Sequence, residues 1–392
     1  MTNSTLSTKM DKIPFAGIRK VVEKARSIEA SGRKVVHFEI GRPDFDTPLH
    51  IKESAKEALD NGLVHYAPNI GTPGLRSALV KALQEYQGVQ YNPDTELMVT
   101  AGAQEGLLLC LHAVINSGDE VLVPSPGFGQ YYTSVPLVGG VAVPYSLNPK
   151  GFSWDENAAE SKITKKTKVI IINSPHNPTG AVLSKEELAS IASFAERHNL
   201  LVISDEAYDR MLYDGMKHYT IASFSGLKER TMLVGSFSKT YSMTGWRVGY
   251  VATNPEIRGA LVRLQQNVML SVCTFAQKGA QTALEDSQQC VEDMLQVFAR
   301  RREIVIEGVN KAQGLSCHEA PRGAFYLFVN HEGIGKTSQE LTDYLLEEAG
   351  VATVPGSEFG PDGEGHLRIS YATSSEDCEL GMKRIAEALE TL

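Results

Sequence analysis

The sequence predicts an α/β fold in which helices cover a mostly parallel β-sheet. Three runs of consecutive apolar residues, at positions 121–123, 169–172 and 201–203, lack the alternation of a half-exposed strand. Such runs are typical of strands buried on both faces of a parallel sheet. Each run is followed by a turn rich in polar residues or glycine, and open α/β sheets bind ligands at the carboxyl ends of their strands. The pattern therefore predicts a ligand site at one edge of the sheet.

Length and composition allow two or three domains, since the chain has 392 residues of which 42% are hydrophobic. We predict a large ligand-binding domain over residues 49–294. A smaller α+β domain is predicted from both chain ends. Residues 1–48 would form an N-terminal arm and part of that domain, and residues 295–392 would form the rest of it.

Charge and cysteine content exclude several classes of protein. The 38 basic and 47 acidic residues give a net charge of -9, which argues against nucleic acid as a partner. The five cysteines form no C-x-x-C pair, so we predict neither a metal site nor a disulfide scaffold. No apolar run approaches the roughly 18 residues of a membrane helix. We therefore expect a cytoplasmic protein without a membrane partner.

One lysine stands among groups that suit a phosphate. Ser238 directly precedes Lys239, Ser236 lies three residues before it, and Arg247 lies eight residues after it. Hydroxyls donate hydrogen bonds to phosphate, and arginine binds it through two parallel N–H groups. A lysine with cationic neighbours and little water loses its proton near neutral pH and attacks carbonyls. The segment predicts that Lys239 forms a Schiff base with pyridoxal 5'-phosphate (PLP).

The run Ser-x-Ser-Lys, followed by Met-Thr-Gly-Trp-Arg-Val-Gly-Tyr at 243–250, resembles the lysine motif of class I/II aminotransferases. These fold type I PLP enzymes belong to the aspartate aminotransferase superfamily. The resemblance implies a seven-stranded sheet in the large domain and a homodimer with active sites at the subunit interface. It also implies transfer of an amino group from an L-amino acid to a 2-oxo acid, with Lys239 moving the proton from Cα.

Three residues after the buried runs match family positions around the pyridine ring. Asp205 lies two residues after the run at 201–203. A carboxylate paired with the ring nitrogen keeps that nitrogen protonated. The resemblance gives this role to Asp205 and hydrogen bonds to the 3'-oxygen to Tyr208 and Asn177. His176 stands where asparagine is common in the family, and we interpret it as a tolerated variation rather than a catalytic base.

The turn Gly102-Ala103-Gln104 leads from a strand into a helix. A helix N-terminus offers free N–H groups and the positive end of the helix dipole, which suits phosphate. We predict that this turn shares the phosphate with Ser236, Ser238 and Arg247. The resemblance adds Phe128 stacked on the ring and Tyr66 reaching the phosphate of the neighbouring subunit.

Arg368 lies inside an apolar strand, where a guanidinium is unfavourable unless an anion pairs with it. By resemblance that anion is the α-carboxylate of the substrate, with Gly41 and Asn177 completing its site. By contrast, we interpret the run Arg300-Arg301-Arg302 as a solvated helix face.

Two questions stay open at this level. The motifs fit another PLP reaction on the same fold, carried out by a β-lyase, decarboxylase or oxidase, although transamination is favoured. Aspartate with 2-oxoglutarate is the commonest expectation for the substrates, with Arg19 as a candidate for reading an acidic side chain. Phe15 and Ile18 equally suit an apolar pocket for aromatic or aliphatic substrates. Ser-x-x-Lys also occurs in penicillin-recognising enzymes, but their downstream Lys-Thr-Gly is absent from this sequence.

Overall fold

The structure is a computed structural model that describes residues 7, 10, 11, 13, 15 and 17–392. Its α-helices are α1 Gly17–Ala30, α2 Leu49–Asp60, α3 Pro73–Gln87, α4 Ala103–Val114, α5 Gly129–Leu137, α6 Glu156–Glu160, α7 Lys185–Arg197, α8 Pro255–Val268, α9 Thr274–Glu285, α10 Gln289–Lys311, α11 Ser338–Tyr344 and α12 Ser375–Leu389. Its strands are β1 Val36–His37, β2 Leu97–Thr100, β3 Glu120–Ser125, β4 Val141–Ser146, β5 Thr167–Asn173, β6 Leu201–Asp205, β7 Thr231–Ser236, β8 Gly249–Ala252, β9 Tyr326–Asn330, β10 Val351–Ala352, β11 Val354–Pro355 and β12 His366–Ser370.

The main sheet has seven strands in the order β2-β8-β7-β6-β5-β3-β4. Strand β8 runs antiparallel to both of its neighbours, and the remaining pairs are parallel. The predicted mostly parallel sheet is therefore confirmed. At its carboxyl edge, Asn173 on β5 lies in register with Asp205 on β6, which lies in register with Val234 on β7. This register places three strand ends side by side.

The apolar runs occupy the centre of this sheet. Val169, Ile170 and Ile171 on β5 have no exposed surface, because clusters of apolar helix residues cover both faces. Helix α7, which follows β5, starts with a capping box. Ser184 accepts the N–H of Glu187, and the Glu187 side chain accepts the N–H of Ser184. The cap fixes where the chain turns back after the sheet edge.

The smaller sheets join the two ends of the chain. Strands β11, β12 and β9 form an antiparallel sheet, and β1 pairs in parallel with β10. The predicted smaller α+β unit built from both chain ends is thus present, although the strand expected around residues 35–40 has only two residues. The boundaries at 48/49 and 294/295 stay predictions, and the second lies within α10.

The interpretation of Arg300, Arg301 and Arg302 as one solvated face is wrong. Consecutive helix residues point about 100° apart, so three in a row cannot share one face. Only Arg300 is exposed. Arg301 is buried and binds both carboxylate oxygens of Asp44 at 2.7 and 2.9 Å, while buried Arg302 donates to Asp214 at 2.8 Å. The Asp44 pair ties the loop that follows Gly41 to α10.

In the part of the chain that the structure describes, no helix combines the length and apolarity needed to cross a membrane. All five cysteines are free thiols.

Candidate active site

A cavity of about 320 Å³ lies at the carboxyl edge of the main sheet, beside the three-stranded sheet. It brings together residues from nine separate segments of the chain. The predicted site residues in its wall are Gly41, Ala103, Gln104, Phe128, Asn177, Asp205, Tyr208, Ser236, Ser238, Lys239, Arg247 and Arg368. Ile18, Leu107, Tyr131, Asn173, Ala207 and Tyr326 complete the wall. Of the predicted residues, Gly102 and Tyr66 do not line it.

Lys239 follows the end of β7 by three residues, and its Nζ donates to the carbonyl of Gly41 at 2.6 Å. Removal from water lowers the pKa of Lys239 to about 8, with Arg368 and Arg247 contributing in the same direction and Asp205 opposing them. A large fraction of this amine is therefore neutral slightly above neutral pH. A neutral amine in a cavity can act as a nucleophile or as a base.

Asp205 ends β6 and is buried. Its Oδ2 accepts from the hydroxyl of Tyr131 at 2.7 Å, and its Oδ1 accepts from the N–H of Ala207 at 3.2 Å. Burial nevertheless raises the pKa of Asp205, because both donors are neutral. A cationic N–H in the cavity would stabilise the ionised carboxylate.

Asn173 connects Asp205 to the next turn. Its Nδ2 donates to the carbonyl of Asp205 at 2.9 Å, and its Oδ1 accepts from the N–H of Asn177 at 2.9 Å. Sequence reasoning missed both Asn173 and Tyr131. For Tyr131 a signal existed, because it lies three residues after Phe128 at the start of a helix and so returns to the same side.

Tyr208 and Tyr326 form a pair of buried phenols, whose hydroxyl oxygens are 2.8 Å apart. Burial raises the pKa of Tyr208 well above its ordinary value, so it remains protonated. A Cβ at Gly41 would lie 2.6 Å from the Tyr326 hydroxyl. Glycine at position 41 is therefore a requirement of this close approach. Tyr326 was not among the predicted site residues.

Arg368 on β12 is 4% exposed. Its Nη1 donates to Asn177 Oδ1 at 3.1 Å and its Nη2 to the carbonyl of Glu39 at 2.7 Å, while its Nε has no partner within the described part of the chain. The ring centroids of Tyr326 and Phe359 lie 4.4 and 5.1 Å from its guanidinium carbon. Every hydrogen-bond acceptor in this set is neutral, so the guanidinium can bind a carboxylate that enters the cavity.

The start of α4 and Arg247 lie against each other. Gly102 precedes the helix with a φ of 82°, and no side chain of the described residues caps the first turn. A Cβ at Gly102 would lie 2.4 Å from Arg247 Nη2. That guanidinium also donates to the carbonyls of Ala101 and Thr244, each at 3.1 Å. Uncapped N–H groups beside a guanidinium form a suitable cradle for phosphate.

Five further candidates lie at or beyond the edge of this arrangement. Phe128 packs its edge against Tyr131, with ring centroids 5.6 Å apart. Tyr66 is 85% exposed. Arg19 forms an ion pair with Glu23 on the outer face of α1, which does not support its reading an acidic substrate. Phe15 is 77% exposed, whereas Ile18 lines the cavity.

His176 is buried outside this cavity, with Nδ1 2.8 Å from Thr179 Oγ1. Burial lowers the pKa of His176 to about 3. Its position and its low pKa both agree with the interpretation that it is not a catalytic base.

Comparison with known proteins gives consistent matches along the whole chain. The model of the family "Aminotransferase class I and II" matches residues 33–385. An aspartate aminotransferase of Pyrococcus abyssi is 46% identical over 98% of both chains, and an aromatic-amino-acid aminotransferase of Thermococcus litoralis is 43% identical over 98% of both. The crystal structure of an aromatic aminotransferase from Pyrococcus horikoshii is 44% identical and superposes with a TM-score of 0.90, over 95% of this chain and 99% of that one.

Proposed function

Since the chain belongs to the class I and II aminotransferase family, we propose that it transfers the amino group of aspartate and of aromatic amino acids to 2-oxoglutarate. The family uses pyridoxal phosphate, and the protein is an aminotransferase acting between an amino acid and a 2-oxo acid. The choice of aspartate and aromatic donors is supported by the names of two relatives that match along the full length. Those relatives favour transamination over the lyase, decarboxylase and oxidase alternatives.

The residues of the Lys239 cavity fit the cofactor. Asp205 is a buried carboxylate without a cationic hydrogen-bond partner among the described residues, and the start of α4 with Arg247 is a cradle without a capping side chain. When bound, PLP withdraws electrons from the substrate and thereby makes the Cα proton acidic. In our proposal Lys239 binds the cofactor and takes the Cα proton on its Nζ, and Asp205 binds the ring nitrogen.

The remaining side chains bind and orient. We propose that Tyr208 and Asn177 bind the 3'-oxygen and that Phe128 packs on the ring. The phosphate would be bound by Gly102, Ala103, Gln104, Ser236, Ser238, Arg247 and Tyr66 of the partner subunit.

The single observation that carries the proposal is the set of partners of Arg368. A buried guanidinium with only neutral acceptors is unfavourable until a carboxylate pairs with it. An α-carboxylate bound there, with Gly41 and Asn177 beside it, is fixed close to Lys239. With the α-carboxylate bound at Arg368 and the amino group close to Lys239, the orientation of the Cα–H bond is set.

Aromatic donors are supported by the rest of the wall. Ile18, Leu107 and Phe128 are apolar, and the cations that line the cavity in the described part of the chain are Lys239, Arg247 and Arg368. These three cations already have proposed roles in binding the cofactor and the α-carboxylate. The remaining apolar wall therefore suits an uncharged aromatic side chain of the substrate.

A panel of twenty L-amino acids with 2-oxoglutarate, compared by kcat/KM, tests the proposed donors. We expect aspartate and the aromatic amino acids to exceed the others by at least about tenfold, since a misfit in a pocket is worth about 1–3 kcal/mol. A different leading group would overturn the donors while leaving the family intact.

The attachment point has its own test. Reduction of the yellow holoenzyme with borohydride, followed by peptide mass spectrometry, should find the cofactor on Lys239. Attachment at another lysine would overturn the role of Lys239. The peptide that carries Lys278, which lies on helix α9, serves as an internal control.

A homodimer is part of this proposal, because Tyr66 is exposed and lies outside the cavity of its own chain. Exposed apolar side chains flank Tyr66 in the sequence. A second exposed apolar segment is joined to it by a hydrogen bond, in which Thr274, four residues after Leu270, donates to the carbonyl of His65. The exposed apolar residues of these segments are Leu63, Val64, Val268, Met269 and Leu270. Light scattering should give twice the chain mass, and Tyr66→Phe should weaken cofactor binding several-fold. A monomer that retains full activity would contradict this part.

The free state of all five cysteines supports a reducing, cytoplasmic location. Fractionation of cells that express the tagged protein tests this directly.

A further inference from the structure

A second cavity, of about 160 Å³, lies on the other side of the segment that carries Asn177. Its wall includes Phe152, Trp154, His176 and Phe328, and Glu319 and Arg322 stand at its mouth. A cavity of about 150 Å³ accommodates one benzene ring in another protein. The volume therefore matches a single six-membered ring.

Four aromatic side chains, Tyr145, Phe152, Trp154 and Phe328, line part of the second cavity. The rings of Phe152 and Phe328 meet edge to face with centroids 5.6 Å apart, and Trp154 meets Tyr145 in the same way at 5.5 Å. Phe328 is buried. Aromatic side chains in such arrangements offer both faces and edges to a further ring. An aromatic ring is thus favoured over a polar guest.

A buried polar atom lies in the same wall. His176 is 4% exposed, and its Nε2 has no partner among the described residues. Thr179 Oγ1 accepts the N–H of Ala181 and lies 2.8 Å from His176 Nδ1. We assign the Thr179 hydroxyl as donor to Nδ1, which leaves the proton on Nε2. His176 then offers an unused N–H donor that suits an oxygen on the guest.

The mouth carries one charge of each sign. Glu319 and Arg322 are exposed, and neither side chain forms a hydrogen bond or ion pair among the residues described. A Cβ at Gly151 would lie 2.6 Å from Glu319 Oε2, which places that carboxylate beside the loop leading to Phe152. A guest that is zwitterionic outside the ring matches both charges.

We propose that the second cavity is a binding site for a free aromatic amino acid that carries a ring hydroxyl. The ring occupies the cavity with its oxygen toward His176, and the amino and carboxylate groups remain at Glu319 and Arg322. Asn173 lines both cavities, and Asn177 follows His176 and bonds Arg368. These residues connect the second cavity to the substrate carboxylate site. The inference rests on this cavity and not on the donors proposed above.

The test is calorimetric titration of the PLP-loaded Arg368→Leu holoenzyme with α-methyl-L-tyrosine, which has no Cα–H and therefore cannot be transaminated. Arg368→Leu removes carboxylate binding in the active site, and the absorbance of the cofactor shows whether the amino group of the ligand displaces Lys239 there. Heat without an absorbance change therefore reports the second cavity. We expect one site per chain. Ser153→Trp, which fills the cavity, should abolish this heat. Arg322→Gln should raise Kd about fivefold, as expected of a partly exposed ion pair.

Matched controls separate the outcomes. Arg300→Gln, which removes an exposed arginine on α10, should leave Kd unchanged, and Arg322→Gln should leave the basal kcat/KM unchanged. α-Methyl-L-phenylalanine should bind about fivefold more weakly, because it lacks one hydrogen bond. Absence of binding overturns the proposal, as does binding that Arg322→Gln weakens no more than Arg300→Gln. Arg322→Gln decides the matter if Ser153→Trp fails to retain its cofactor.

Discussion

Lys239 and Arg368 are two cations of one cavity, and the structure treats them differently. Lys239 follows the main sheet and makes one hydrogen bond, to the carbonyl of Gly41. Arg368 lies within a strand of the three-stranded sheet, with neutral acceptors on two nitrogens and the rings of Tyr326 and Phe359 beside it. The first group can reorient, whereas the second is fixed by its surroundings.

The difference in chemistry follows from the two side chains. An amine loses its proton when burial and like charges oppose the cation, and the pKa of Lys239 falls to about 8 for these reasons. A guanidinium keeps its charge in a comparable environment. Arg368 contributes to the low pKa of Lys239. The comparison teaches that a permanent cation serves both as a binding group and as the cause of a reactive neighbour.

The largest expected effect comes from replacing Lys239, the reactive one of the two cations. Lys239→Ala should lower kcat by about 10⁴-fold or more, because it removes both the attachment group and the base. Lys239→Arg, which restores the charge without an amine of suitable pKa, should be equally inactive. Single-turnover absorbance spectroscopy on both variants measures this. Near-normal turnover of either variant would refute the assigned role.

Changing the permanent cation should mainly affect binding. Arg368→Lys keeps the charge but loses the paired N–H groups, so KM for the amino acid should rise by roughly 10²-fold. The pKa of Lys239 should change little, because the positive charge remains. Steady-state kinetics as a function of pH checks both statements. An unchanged KM would mean that the carboxylate binds elsewhere.

Tyr326 connects the two regions, since its hydroxyl meets Tyr208 and its ring lies against Arg368. Tyr326→Phe retains the ring and removes the hydroxyl. We expect kcat to fall about five- to tenfold, the effect of one hydrogen bond, with KM almost unchanged. Tyr208→Phe, the matched removal of the other hydroxyl, should give a similar loss. A change in KM alone would indicate that Tyr326 acts on substrate binding through Arg368 and not through Tyr208.

Local patterns predicted much of the fold and of the cavity wall. Apolar runs located the central strands, and the residues at their ends, Asn177, Asp205 and Lys239, come together because parallel strands end at the same edge. Arg368 stood out as a charge in an apolar strand. These features depend on a few neighbouring residues and are therefore visible in one sequence.

Contacts between distant segments were not visible. Tyr131 reaches Asp205 across 74 positions, and Tyr208 reaches Tyr326 across 118. A tyrosine in a buried segment looks the same with or without such a partner. The buried ion pair of Arg301 with Asp44 was not predicted for the same reason, since Asp44 lies 257 positions away from Arg301 in the sequence.

The smallest expected effect concerns His37, which is connected to Arg368 through Glu39. Arg368 Nη2 donates to the carbonyl of buried Glu39. The Glu39 carboxylate binds His37 Nδ1 at 2.8 Å. This hydrogen bond raises the pKa of His37 to about 9 against the opposing effect of burial, and Glu29 adds to it. A folded pKa above the unfolded value means that the pair stabilises fully below pH 6.5.

The stabilisation is lost as pH rises through about 9. Because His37 is partly exposed to solvent, we expect a loss of about 1 kcal/mol between pH 6.5 and 9.5, seen as a Tm lower by roughly 1–3 °C. His37→Gln should lack this component of the pH dependence while retaining the contributions of all other groups. Scanning calorimetry of the two proteins at both pH values isolates the difference. Equal losses in the two proteins would show that the proton on His37 does not stabilise the segment that carries Glu39.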